Sequence, residues 1–168
     1  KISANNFYLL ERTDDNSVAG VKADKIYTGA LSNTSEGLRL FDNQCNLIDE
    51  VLANSNWPAG DSAEKRTMER DSNGFNWHTS SIINGTPKKE NSSAYVVYGG
   101  GGGGSSASNN NQQQTTNNQQ SSAVKILINE IQLASSGNVY DEFVELYNPG
   151  NASVDLTNWY IQKKTQSG

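Results

Sequence analysis

Glu142-Phe-Val-Glu-Leu-Tyr147, closed by the turn residues Asn148-Pro-Gly150, is the stretch whose reading decides the fold. β-Branched and aromatic residues bounded by Asn, Pro and Gly predict a short strand. Glu142 and Glu145 stand an odd number of positions apart, which sends them to opposite faces of that strand. One of the two must face inward or lie at an edge, and Glu145 is the expected one. Its role is then structural, a carboxylate held by nearby backbone N–H groups or a tryptophan N–H. Upstream, Val124-Lys-Ile-Leu-Ile-Asn-Glu-Ile131 reads the same way, and downstream so does Asn158-Trp-Tyr-Ile-Gln162.

The pattern recurs in the first part of the chain as Asn6-Phe-Tyr-Leu-Leu10, Gly37-Leu-Arg-Leu-Phe41 and Leu47-Ile-Asp-Glu-Val-Leu52. The last two are joined across Asp42-Asn-Gln-Cys-Asn46 like a hairpin. Lys65-Arg-Thr-Met-Glu-Arg70 and Phe75-Asn-Trp-His78 suggest another hairpin around Asp71-Ser-Asn-Gly74. Tyr95-Val-Val-Tyr98 reads as an edge strand or as the first ordered part of a linker. Roughly eight short strands with no helical periodicity predict an all-β sandwich or barrel. Ser62 to Arg70 contains helix formers, yet it lacks an apolar stripe, and helix is expected to be scarce.

Between these parts lies Gly99 to Ala123, which opens with the run Gly99 to Gly104 and continues as Ser, Asn, Gln and Thr. It carries no charge and nothing more apolar than alanine, so it has nothing to bury against the entropy of ordering it. The expectation is a flexible, disordered linker at 99–123 separating pieces 1–98 and 124–168. The second piece is too short to enclose a sandwich core by itself. A tether of about 25 residues reaches about 25 to 30 Å, comparable to the length of a sandwich. The two pieces are therefore expected to close over each other as one composite sandwich.

Composition narrows the functional classes. The 168 residues carry a formal net charge of -5, with 13 basic and 18 acidic side chains. Lys88-Lys89 and Lys163-Lys164 are the only adjacent lysine pairs, too few for a nucleic-acid footprint. No apolar run approaches the roughly 18 to 20 residues of a membrane span. A lone cysteine, Cys45, excludes an intrachain disulfide, and a lone histidine, His78, excludes multi-histidine zinc sites. No cofactor and no metal are expected.

Asp141-Glu-Phe-Val-Glu-Leu-Tyr-Asn-Pro149, Val154-Asp-Leu156 and Asn158-Trp-Tyr-Ile161 together resemble the opening half of a lamin-tail domain of bacterial type. Ile126-Leu-Ile-Asn-Glu-Ile131 fits its first strand. Tyr8-Leu-Leu10, Glu36-Gly-Leu-Arg-Leu-Phe41, Leu47-Ile-Asp-Glu-Val51, Arg66-Thr-Met-Glu-Arg70, Trp77 and Gly85-Thr-Pro87 resemble the closing half. Lys88 stands where that family often has a glycine after the proline. The resemblance implies an immunoglobulin-like β-sandwich, here with its halves in permuted order. A fragment of a tandem array of such domains, or a true circular permutant, would each give that order; the ragged ends and linker-like composition favour the fragment.

Each residue that suggests chemistry has a plainer reading beside it. Trp159 and Trp77 are expected in the core, each with one N–H to satisfy. Trp57, before Pro58 in a polar loop, is the candidate exposed aromatic anchor for a ligand. Asp14 and Asp15, next to Asn16, are the least poor candidates for a cation, but no spacing among the acidic pairs matches a calcium loop. Such pairs, Asp49-Glu50 and Asp141-Glu142 included, are commonly solvated turns. His78 lacks a nucleophile motif such as Gly-x-Ser-x-Gly and reads as a surface or hairpin-end residue. Cys45 reads as an exposed thiol.

The expected function is that of a non-catalytic β-sandwich module, not an enzyme, used for binding or attachment in a modular secreted or cell-surface protein. Extracellular or cell-envelope placement follows from the resemblance, as does a partner set of a protein or polysaccharide ligand and neighbouring lamin-tail domains. The alternative is an accessory domain targeting an extracellular hydrolase or nuclease.

Overall fold

The structure is a computed structural model, and it describes residues 1–96, 126–135, 138 and 140–165. The linker expected at 99–123 lies outside the described residues. Nine strands and no helix occur among those described: β1 (Asn6–Arg12), β2 (Lys25–Tyr27), β3 (Glu36–Phe41), β4 (Leu47–Leu52), β5 (Arg66–Arg70), β6 (Trp77–Ile83), β7 (Leu127–Gln132), β8 (Phe143–Asn148) and β9 (Tyr160–Thr165). They form a six-stranded sheet in the order β2-β1-β8-β7-β5-β6 and a three-stranded sheet in the order β4-β3-β9. The fold is all-β and immunoglobulin-like.

Both sheets mix the early and late parts of the chain. β8 and β7 lie between β1 and β5, and β9 pairs with the edge of β3 from Glu36↔Thr165 to Phe41↔Tyr160. Neither segment completes a sheet without the other. The facing apolar surfaces make the core, with Leu38, Leu40 and Val51 on the smaller sheet opposite Ile128, Val144 and Met68 on the larger one. An ion pair bridges the layers inside this apolar setting. Asp49 of β4 accepts from Arg70 Nη2 at 2.5 Å and from the Ile128 N–H at 2.8 Å. Trp77 adds its ring face to Arg70, whose guanidinium carbon lies 4.5 Å from the ring centroid.

Trp159 and Trp77 are partly buried and pack against the core, as expected. Trp57 requires a correction. It is only 7% exposed and its indole N–H donates to the Ser32 carbonyl at 2.8 Å. The loop after β4 turns back so that the indole joins the core cluster, where a large apolar ring excludes more water than any other residue in that loop could. Trp57 is a core plug, and it is not an exposed anchor. β2, three residues long and parallel to β1, carries too little pattern to be read from sequence. Ala94 bridges Ser80 of the β6 edge, and Tyr95 N–H donates to Thr79; the chain beyond Val96 lies outside the described residues up to Ile126.

Candidate functional site

The outer face of the larger sheet, turned away from the core, holds a row of charged residues in cross-strand register. Leu9 of β1 stands opposite Glu145 of β8, Glu145 opposite Glu130 of β7, Glu130 opposite Glu69 of β5, and Glu69 opposite His78 of β6. Carboxylates in such a row repel one another, and each resists leaving water. Yet Glu69, Glu130 and Glu145 are fully buried.

The cover is the segment from Gly85 to Ser92, a strap laid across the row. Thr86 N–H donates to Glu130 Oε1 at 2.8 Å, Lys88 N–H to Glu145 Oε2 at 2.6 Å, and Ser92 N–H to Glu69 Oε2 at 2.7 Å. Each carboxylate thus satisfies a strap amide that would otherwise be buried without a partner. Gly85 is required here. Its φ is +69°, and a Cβ would fall 1.8 Å from Glu130 Oε1. A β-bulge between Ile128 and Glu130 supplies a second outward side chain, and Asn129 exchanges amide bonds with strap residue Asn91 at 2.9 and 3.2 Å.

Burial separates the titrations along the row. It pushes Glu130 up to about 8, reinforced by Glu145 and Glu69, and Glu145 up to about 7 despite its hydrogen bonds from Lys88 and Asn129. Burial acts on Glu69 too, but hydrogen bonds led by His78 and Ser92 outweigh it and hold that carboxyl low. His78 is raised to about 9, first by its bond to Glu69 and then, against burial, by Asp71 and the Ser92 carbonyl. As a cation it donates from Nδ1 to Asp71 at 2.6 Å and from Nε2 to Ser92 O at 2.8 Å. Both ring nitrogens are occupied, which leaves no lone pair to take a proton near neutral pH. A histidine read from sequence as a hairpin-end residue is instead the terminal charge of this row.

Glu145 is held by a backbone N–H, but it faces outward beneath the strap on an interior strand, where an inward-facing or edge position was expected; the strap buries that face as the second sheet buries the other. Glu142, on the opposite face, is equally buried, accepting from the Leu31 N–H at 3.1 Å and from Arg12 at 3.0 Å. Asp14 and Asp15 remain exposed. Asp14 accepts from the Asn16 N–H at 3.1 Å and Asp15 from the Ala23 N–H at 2.7 Å, which makes them turn-forming residues. Among the described residues no group of three or more His, Cys, Asp or Glu has the arrangement to hold a metal. Cys45 is exposed in its hairpin loop.

One end of the outer face is left uncovered by the strap. There Phe7, Tyr147 and Leu127 form the next row in register, on β1, β8 and β7. The Phe7 and Tyr147 rings stack with centroids 4.9 Å apart. The row floors an open groove of about 670 Å³, walled by the hairpin turn at Ser72-Asn73-Gly74 on one side and by strap residues Glu90 to Ala94 on the other. Sequence reasoning did not find it. Phe7 and Tyr147 each look like ordinary strand residues, and only their register with the strap's endpoint leaves them uncovered.

Residues 119–167, the part of the chain that carries β7, β8 and β9, match the family described as Lamin Tail Domain. No curated protein and no solved structure matches the chain.

Proposed function

We propose that this chain, whose residues 119–167 match the lamin tail domain, is a non-catalytic attachment module of a secreted or cell-surface protein, binding through the groove floored by Phe7 and Tyr147. The family's domain is a non-enzymatic β-sandwich, and the groove is the observation that carries the rest. Its floor is apolar, its walls are polar, and its supporting side chains are locked by reciprocal bonds such as Asn91–Asn129. A pre-formed concave surface of that kind binds without paying for reorganisation. The same locking argues against chemistry. Glu69, Glu130 and Glu145 are sealed beneath the strap, and His78 has both nitrogens engaged. The halves are read as a permuted pair because β1, β3 and β5 find their sheet neighbours in residues 126–165.

The test is co-sedimentation of the purified, fluorescently labelled chain with washed cell-envelope material from its source, beside hydrolysis assays on the same material. Saturable binding that is lost when Ser93→Trp fills the groove, with no release of soluble product, is the expected result. Binding unaffected by that variant would remove the groove from the account, and turnover would remove the non-catalytic reading.

A further inference from the structure

Resting on that reading of the groove, we propose that its ligand is an uncharged saccharide chain. Most charged groups in the lining are already spent on partners within the chain. Arg70 gives its guanidinium to Asp49 and to the carbonyls of Ile128 and Gly74. His78 is shared between Asp71 at 2.6 Å and the buried Glu69 at 3.2 Å, so its charge is already taken up by two carboxylates. Among the described lining residues, the one charge without an ion pair is therefore the exposed carboxylate of Glu90. A polyanion meets no cation here and one repelling anion, and a cationic peptide meets a single solvated carboxylate worth little.

What remains to contact a ligand is a mixed surface of a particular kind. Asn73, a lining residue, uses its side-chain oxygen on the N–H groups of Phe75 and Asn76, which leaves its amide NH₂ as a donor. The hydroxyls of Ser72, Ser93 and Tyr147 engage no partner among the described residues, and each can donate and accept. Glu90 supplies a strong acceptor. A sugar ring presents the same mixture, with hydroxyls around its rim and C–H groups on its faces. Those C–H faces suit the apolar floor of Phe7, Tyr147 and Leu127, and the rim suits the amides and hydroxyls of the walls. An apolar peptide would leave the wall groups dehydrated without partners, which costs affinity. The groove, at about 670 Å³, has room for more than one sugar ring.

The test is affinity electrophoresis of the whole chain in native gels cast with a soluble neutral glucan, galactomannan or xylan, with polygalacturonate as the acidic control and a panel of labelled apolar peptides assayed in parallel. Retardation by a neutral polymer is expected, with none by polygalacturonate and with affinity falling at least about tenfold in Tyr147→Ala and in Ser93→Trp. Circular dichroism checks that the variants fold; should Tyr147→Ala unfold, Ser93→Trp, on an exposed side chain, carries the measurement. Failure of every neutral polymer to retard the chain, or retardation by polygalacturonate alone, overturns the proposal. Peptide binding that Ser93→Trp abolishes would overturn the saccharide while leaving the groove as a binding site. Envelope binding that survives Ser93→Trp would instead overturn the groove.

Discussion

Two adjacent rows on the same strands of the larger sheet differ in almost everything except their backbone. One step along each strand from the outer charged row, Leu10, Val144, Ile131 and Met68 stand in register with one another and face the smaller sheet. Both rows are buried, one by side chains and the other by a strap of backbone. The inner row is held by the removal of apolar surface from water, which is indifferent to the direction of approach. The outer row is held by hydrogen bonds from particular amides of the strap to particular carboxylates, and it tolerates one path of the strap only. A sheet face can thus be closed by charge as well as by oil, at the cost of shifted titrations and a required glycine.

The most severe way to break this comparison is to exchange the rows at one strand. Glu130→Ile combined with Ile131→Glu puts a carboxylate into the inter-sheet core without an amide and removes the partner of Thr86. The loss should exceed the roughly 5 to 15 kcal/mol that holds a domain together, and circular dichroism should show no cooperative unfolding transition. Single changes separate the two kinds of cover. Met68→Ala on the inner row should cost roughly 2 to 5 kcal/mol by denaturant unfolding. Gly85→Ala, which drives a Cβ into Glu130 at positive φ, should cost about 3 kcal/mol. Only the second should speed hydrogen exchange at Thr86, Lys88 and Ser92 well ahead of global unfolding.

Changing pH should act on the outer row and leave the inner one alone. Glu130 and Glu145 have folded values near 8 and 7, above the ordinary carboxyl value of 4.5, so the stability linked to them is complete below about 4.5 and is lost as pH rises through 7 and 8. His78, raised to about 9 from 6.5, contributes fully below 6.5 and loses its contribution as pH rises through 9. Glu69, held low, runs the other way, and its contribution disappears as pH falls below the ordinary carboxyl range. The thermal midpoint should therefore be highest near pH 5 and decline toward pH 9. Glu130→Gln should flatten that decline while keeping an acceptor for Thr86. The smallest effect is expected at Lys88, which holds φ at 59° where a glycine would be relaxed. Lys88→Gly relieves backbone strain of about 1 kcal/mol but gives up the half-exposed pair with Asp24, so the net change should stay within about 1 kcal/mol of zero.

Strand-forming stretches were legible because period-two alternation and turn residues are local signals. The stretches read at Gly37–Phe41, Leu47–Leu52 and Glu142–Tyr147 each became a strand within one or two residues. β6 runs to Ile83, past the expected end at His78, because Thr79 to Ile83 gain pairing from β5 that no local pattern announces. The anchor role read for Trp57 failed for a related reason. A polar loop says where a residue sits along the chain, and it does not say whether the loop folds back over the core. The acidic pairs misled in the same way, since Asp49 and Glu142 look like turn residues until an Arg70 or a Leu31 amide arrives from a distant part of the chain.

Alternation and turn chemistry were enough, from the sequence alone, to establish short strands, little helix and an all-β sandwich or barrel. Which carboxylates line up across three neighbouring strands, which amides meet them and which aromatic rings stay uncovered were decided by tertiary structure. Registers between strands far apart in sequence are set by the global closure of the sandwich and the path of one strap, and a shift of a single residue would turn every one of those side chains to the opposite face.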